Sequence, residues 1–512
     1  VPVILMPGNW KGGRPAPRQG VFCRWFRYTA LKGLLLVYRD LRLEDQTALN
    51  EALREADELA VLWIYDEKAE GIPWDQRVRS HGLRARLTAF KHFNGRLKTI
   101  GHQATLLTGD YTETLIALKS EIYDFDKLYY NRFYDRVGNA MTLAAEVLAE
   151  KYGVGVSVSE DIMLFEPTRI LKKDGTPYQM FTPYYRQWLE RFRSAAPMGM
   201  TSLPEIQARS VAVKGLDLTV FNSVADRDKD RDKDRDMAVV VMPHPALDGG
   251  YEAMAAQWKA FLESPLSRFS EDRDYPAKQA TSGMSVYLNS GMLSPRQFVS
   301  ELVKVADHEA VLRQYVWREF YLQLLHHQPH VLDGAMRPEY AGVRWEENPA
   351  YFEAWCEGKT GVPIVDAAMR CLKSEGRMHN RLRMIAASYL VKDLHVNWQL
   401  GERYFCEMLV DYEPALNNGG WQWSASTGTD AQPYFRVFNP WQQSLRYDAE
   451  AAFMKKWLPE VEKASAELFH KPGGLIAYGY PQVIVDHAAA VRMTKALYQE
   501  ARQAYARQDG EN

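Results

Sequence analysis

The chain has 512 residues, 46% of them hydrophobic, and a formal net charge of −2 at pH 7. No apolar run approaches the ~18–20 residues that cross a bilayer, and a near-neutral balance leaves nucleic acid open as a partner, because binding follows the local field rather than the sum. Four cysteines, Cys23, Cys356, Cys371 and Cys406, form no CxxC pair and no zinc-like spacing; this argues against a disulfide framework, an iron–sulfur cluster or another metal site, and points to the cytoplasm.

Residues 1–32 read as an N-terminal extension. The first 39 residues carry Lys11, Arg14, Arg18, Arg24, Arg27, Lys32 and Arg39 with no acidic residue. That composition is like a transit peptide but lacks the apolar core and cleavage pattern of a secretory signal, so a divergent extension is the preferred reading. From 33 to 190, strand and helix patterns alternate. Gly33–Tyr38, Leu59–Tyr65, Ala104–Leu107, Lys127–Tyr130 and Val154–Val158 read as strands, and Gln76–Leu97 reads as a helix. This order predicts an α/β Rossmann-like domain with a parallel sheet. The turn after the first strand, Arg39-Asp40-Leu41-Arg42, has no GxGxxG, so the dinucleotide fingerprint is absent there.

Residues 191–249 read as a connector. Within it, 226–236 alternates Asp with Arg or Lys and has no apolar residue to bury; a solvated segment without function is expected. From 250 to 505 the apolar spacing is helical, over Tyr251–Leu262, Ser294–Val305, Leu312–His326, Val365–Ser374, Arg377–Asp393 and Leu400–Leu409. The fold expected is therefore an α/β domain followed by an all-α domain.

The chemistry-bearing residues concentrate in the helical part. In Arg377–Met384, Asn380, Arg383 and Met384 lie three and four apart and share a helix face, while Arg381 points elsewhere. Guanidiniums and an amide at a helix start suit an anionic, planar ligand; a surface Arg pair is the plain alternative. In Asn417–Asp430, Gly419 and Gly420 admit close backbone approach, and Trp421 and Trp423, two apart, point in different directions. One can meet an internal cofactor while the other faces an external partner, or both can simply pack. The 14 Trp and 28 Tyr carry the same pair of readings.

Trp345–Pro349, Glu357–Gly361, Pro363–Arg370, Met378–Met384 and Asn417–Trp423 through Phe438-Asn439-Pro440 closely resemble the cryptochrome/photolyase family, and within it the class I cyclobutane-dimer photolyases. Asp40–Leu43, Phe181-Thr182-Pro183 and Leu293–Arg296 extend the resemblance over nearly the whole chain. It implies one FAD folded into the helical domain, held by Thr281, Ser282, Gly283, Met284, Ser285, Asn380, Arg383, Asp411, Glu413 and Asn417. The resemblance makes Arg383 and Asp411 a pair beside the flavin ring and sets Asn417 at its N5, where plant-type cryptochromes carry Asp. It makes Trp421, Trp398 and Trp345 an electron-transfer chain from flavin to surface. UV-damaged DNA is the implied partner, with the flipped-out dimer clamped by Trp317 and Trp423 and contacted by Arg273, Gln314, Arg318, Asn380, Arg381 and Met384. A monomer is expected.

Asn380 and Met384 stand where (6-4) photolyases have His, which favours the cyclobutane dimer. His379 is offset and is expected to be packed or solvent-facing. Departures from the pattern are Gln314 for the usual Glu, Arg313 where Asn is common, Phe269 for a Tyr, and Glu413 for an Asp. Val137-Gly138 and Val331-Leu332 replace the folate-antenna residues, so the second chromophore is left unnamed. The alternative function is a cryptochrome-type blue-light receptor, against which the short stretch after Thr494–Arg507 is set. A flavin oxidoreductase unrelated to DNA is disfavoured by the missing GxGxxG and the paired tryptophans.

Overall fold

A computed structural model describes residues 30–74, 80–194, 203–204, 208–213, 243–346, 348–430 and 433–509. The expectations on residues 1–29 and 226–236, most of the connector, Cys23 and Glu347 lie outside the described residues. The run from Leu31 onward belongs to one compact unit.

Five parallel strands, β1 (Lys32–Leu36), β2 (Glu58–Tyr65), β3 (Ala104–Thr108), β4 (Lys127–Asn131) and β5 (Gly155–Ser159), lie in the order β3-β2-β1-β4-β5. A short β6 (Arg209–Ser210) pairs with the start of β2; it falls in the expected connector and has no sequence signal of its own. Leu34–Leu36 and Leu59–Tyr65 are buried on both faces, as central parallel strands covered by helices must be. The covering helices include α1 (Thr47–Glu55), α2 (His81–Thr99) and α3 (Arg136–Tyr152), while α4 (Phe181–Ser194) packs on the helix Glu309–His327.

From Gly250 onward the described chain is helical. The helices used below are α5 (Gly250–Glu263), α6 (Glu309–His327), α7 (Pro363–Glu375), α8 (Asn380–Lys392), α9 (Trp398–Met408), α10 (Pro414–Ala425) and α11 (His487–Asp509). Their starts are written locally: Pro at the first turn of α7 and α10, and side-chain caps from His379, Asn397 and Glu413. Expected strands and helices are found with boundaries moved by a few residues. The exception is α2: of the expected Gln76–Leu97, residues 76–79 lie outside the description.

The α/β and helical parts meet through buried ion pairs. Arg39, in the turn after β1, bonds Asp135 at 2.8 Å and Glu413 at 3.2 Å. Asp161 is shared by Arg42 and Arg296, and Arg296 also bonds Asp45 at 2.8 Å. Gly291 makes this approach possible: its φ is +79°, and a Cβ there would sit 2.2 Å from the Arg39 carbonyl oxygen. Only glycine meets both conditions.

Candidate flavin and DNA site

The turn 281–284 leads into the helix Ser285–Ser290. Gly283 takes φ +68°, and a Cβ would meet the Gln257 amide at 2.2 Å. Gln257 in α5 donates to the Ser282 carbonyl at 2.8 Å, fixing the turn from outside. Met284 is buried and anchors it, while Thr281 and Ser285 are exposed. The Ser285 hydroxyl donates to Asp411 at 2.7 Å, and Asn289 donates to the Asp411 carbonyl at 2.5 Å. Arg383 reaches both Asp411 oxygens, at 2.8 and 2.9 Å, and its Nε donates to the Met378 carbonyl. Ser285, Arg383 and Asp411, far apart in sequence, thus form one bonded cluster. The ion pair is not sealed: 28% of the Arg383 and 11% of the Asp411 side chain remain accessible.

Asn380 opens α8, is exposed and lies 3.8 Å from the Met384 sulfur, so the predicted shared face exists. His379 is the N-cap of α8 and accepts from the Arg381 N–H at 3.2 Å. Burial, with Arg383 and Arg381 beside it, brings its pKa down to about 4. It is a neutral cap, which the sequence spacing did not reveal.

Asn417 lies on the second turn of α10 and is buried. Its amide nitrogen donates to the Glu402 carbonyl at 3.0 Å. Only the nitrogen end can bond a carbonyl oxygen, so the orientation is fixed and the amide oxygen is left as the acceptor. Glu402, on α9, also accepts from Asn418 at 2.9 Å. Burial pushes its carboxyl up to about 7. Glu402 was missed from sequence because an isolated Glu on an amphipathic helix looks like a solvated residue.

The tryptophans grade from inside to outside. Trp421 is buried and packs edge-on to Phe405 at 5.0 Å. A Cβ on Gly401 would lie 2.2 Å from its ring, so the first turn of α9, which begins with Trp398, presses on Trp421. Trp398 is buried, and Trp345 is half-buried against Tyr498 at 6.3 Å. The Trp421 indole N–H finds no acceptor among the described residues. Trp355, fully buried and edge-on to Trp421 at 6.0 Å, is a further neighbour that spacing did not flag.

Trp317, on α6, is half-buried and stacked on Phe181 at 3.7 Å with a 7° tilt. Trp423 is half-buried, edge-on to Phe438 at 6.3 Å. Gln314 is exposed, Met384 is half-buried, and Arg273 lies over the Phe269 ring at 5.8 Å. Phe269 is buried with Phe261.

Three expected roles change. Arg318 is 7% exposed and donates to the Ile162 carbonyl at 2.6 Å, so it ties α6 to the α/β part and is not presented to DNA. Arg381 is held by Asp274 at 2.9 Å and lies over Tyr447 at 4.4 Å, so its charge is already partnered. Glu413 is buried with both oxygens engaged, one by Arg39 and one by the Leu416 N–H as the cap of α10. It joins the two parts of the fold rather than facing a cofactor. At the antenna positions, the Val331 carbonyl accepts from Asn418 and Gln422, and a Cβ on Gly138 would collide with Phe133.

The remaining donor set fits a large cofactor with anionic and planar parts. Exposed hydroxyls at Thr281 and Ser285, a partly open guanidinium–carboxylate pair, an exposed Asn380 amide and one free acceptor on Asn417 supply that chemistry.

Comparison with known proteins agrees with this arrangement. A family described as "DNA photolyase" matches residues 34–205, and "FAD binding domain of DNA photolyase" matches residues 311–500. A deoxyribodipyrimidine photo-lyase of Alkalihalophilus pseudofirmus is 35% identical over 88% of this chain and 94% of its own length. That of Escherichia coli is 34% identical over 91% and 98%. Among solved structures, a class III photolyase from Agrobacterium tumefaciens superposes with a TM-score of 0.77 at 29% identity, over 93% of this chain and 98% of that one. An archaeal photolyase from Sulfolobus tokodaii with two FAD molecules gives 0.75 at 29%, over 92% and 100%.

Proposed function

The chain belongs to the DNA photolyase family, and from that premise we propose that it splits cyclobutane pyrimidine dimers in UV-damaged DNA by blue light, with one FAD in its helical part. The observation that carries this reading is the bonded cluster of Ser285, Arg383 and Asp411. It offers the cofactor a charged cradle assembled from residues far apart in the sequence.

When bound, reduced FAD supplies the electron that light moves onto the dimer and that returns once the ring has opened. The chain's own residues bind, orient and shield. In the Arg383–Asp411 pair one guanidinium nitrogen reaches both carboxylate oxygens while the Nε is held by the Met378 carbonyl, so the chain itself orients both charges. The Asn417 oxygen, with its nitrogen committed to Glu402, is an acceptor for a protonated ring nitrogen. That favours repair over the receptor reading.

Trp421, Trp398 and Trp345 carry electrons inward from the surface. Trp317 and Trp423 flank the extruded dimer. Stacking contributes ~1–3 kcal/mol per base against an extrusion cost of a few kcal/mol, which a lesion lowers. The plane of Trp317 is fixed in advance by Phe181, so it loses little freedom on binding. Asn380 and Met384 offer no imidazole to shuttle protons, which sets the substrate as the cyclobutane dimer. The protein acts as a monomer. Among the described residues no helix is long and apolar enough to cross a membrane, and the site of action is the cytoplasm.

Blue light on the reduced, FAD-loaded protein with a thymine-dimer oligonucleotide restores intact thymines; the dark control does not. Equal product in light and dark, or none in light, rules this function out.

A further inference from the structure

Arg313 and Gln314 stand together on the exposed face of α6, one turn before Trp317. Across from them, Phe181 and Tyr185 lie one turn apart on α4. Phe181 is stacked on Trp317 at 3.7 Å on one side and on Tyr185 at 5.5 Å with a 21° tilt. The three rings form a short continuous stack. The Arg313 guanidinium lies 5.4 Å from the Phe181 ring centre and 5.2 Å from that of Tyr185.

No carboxylate bonds this guanidinium among the described residues. Its neighbour Gln314 is uncharged, and Glu309, one turn earlier on α6, acts on Tyr185 alongside Arg313 and Arg193 without pairing with Arg313. A guanidinium docked on aromatic faces is held by cation–π attraction. Its N–H groups stay available, and the side-chain freedom that binding would otherwise remove is already restricted. A planar fork of donors is suited to phosphate oxygens.

We propose that Arg313 is a phosphate contact for the strand that carries the lesion, preset by Phe181 and Tyr185, and that it replaces part of the anchoring a carboxylate at Gln314 would give. The proposal rests on reading Trp317 as a wall of the lesion site. It makes this chain anchor the backbone beside the lesion more strongly and the lesion's pyrimidine edge less strongly.

The test uses the full FAD-loaded chain and fluorescence anisotropy with single-dimer oligonucleotides, single-stranded and duplex, across a salt series. Wild type is first required to prefer dimer over undamaged DNA and to repair it in light; failure there removes the functional reading and overturns the lesion-strand contact with it. With that arm satisfied, Arg313→Gln raises Kd about fivefold at low salt and lowers the slope of log K against log salt by about 0.9 on duplex and about 0.7 on single strands. Flavin content and repair at saturating DNA stay unchanged. Arg313→Lys keeps the slope while binding more weakly, since an ammonium lacks the fork. A wild-type slope in Arg313→Gln overturns the proposal. Should Arg313→Gln lose flavin, Tyr185→Leu decides: an unchanged slope with a raised Kd supports the preset contact, and a wild-type Kd overturns it.

Discussion

Asp161 lies wholly buried between Arg42 and Arg296, at the seam of the α/β and helical parts, whereas Asp411, in the helical part, pairs with a partly accessible Arg383. Both are carboxylates paired with arginine, yet they answer different demands. At the seam, burial pushes the Asp161 carboxyl upward, and Arg42 and Arg296 outweigh it and hold it below the usual range. Each carboxylate and guanidinium there is paired with another protein group, although Nε of Arg39 and of Arg42 has no acceptor among the described residues. At the flavin cradle the pair is satisfied in geometry but not in solvation. The contrast teaches where to look for function in this fold: not at buried charge as such, but at charge that is ordered and still accessible.

The largest effect should come from breaking the sealed member. Asp161→Ala leaves the buried Arg42 guanidinium without its carboxylate, and Arg296 with only Asp45, and costs about 3–5 kcal/mol of folding stability, read as a lower denaturation midpoint. Asp411→Asn in flavin-free protein costs less than about 1 kcal/mol, because solvent screens a partly open pair, yet it abolishes FAD retention. If both substitutions shift the midpoint equally, the two sites do not differ as argued.

Much of this contrast was legible in the sequence. Alternating apolar runs point to the parallel sheet, and the family resemblance pairs Arg383 with Asp411; it sets Ser285 apart among the phosphate contacts, and only the fold bonds it to Asp411. The sequence misled where a side chain's neighbour is distant. Arg318, Arg381 and Glu413 look like ligand-facing polar residues, but Ile162, Asp274 and Arg39 claim them. No local pattern encodes those partners. Glu402 and Trp355 were overlooked for the converse reason: ordinary helix residues by spacing, they gain significance only from Asn417 and Trp421.

Next in size is Trp421→Phe. It should block photoreduction of oxidised flavin at least tenfold while leaving repair by chemically reduced protein intact, since Trp421 refills the cofactor without touching DNA. Photoreduction at the wild-type rate shows a bypass, for which Trp355 at 6.0 Å is the first candidate.

A third test returns to the seam. The Ala246 N–H donates to His244 Nδ1, so His244 Nε2 must donate to His81 Nδ1, and His81 Nε2 to the Lys373 carbonyl. Burial, aided by His81, Arg84 and Arg377, holds His244 at about 3, against about 6.5 when unfolded. Between those values the unfolded chain binds the extra proton. Stability is therefore fully present above about pH 6.5 and falls as pH drops, by at most about 1.4 kcal/mol per pH unit. His244→Gln should flatten the unfolding free energy over that window; an unaltered pH profile contradicts the assignment.

The smallest effect concerns the open side. Charge-assisted hydrogen bonds are about twice as strong as neutral ones, so Gln314 holds the dimer less firmly than a carboxylate would. The deficit should show mainly in duplex DNA, where extrusion has a cost that single strands largely avoid. Wild type should favour single-stranded lesions about two- to fivefold, a difference of under about 1 kcal/mol, and Gln314→Glu should narrow the gap. Equal repair of both substrates by both proteins makes Gln314 a neutral replacement.

The most direct measurement compares two lesions under one light dose. Reduced, FAD-loaded protein is given matched oligonucleotides, one with a cyclobutane thymine dimer and one with a (6-4) product, and restored thymines are counted. The account predicts restoration of the cyclobutane dimer in light only, and none of the (6-4) product, because Asn380 and Met384 supply no proton-shuttling imidazole. Repair of the (6-4) product, or no light-dependent repair of either, would contradict it.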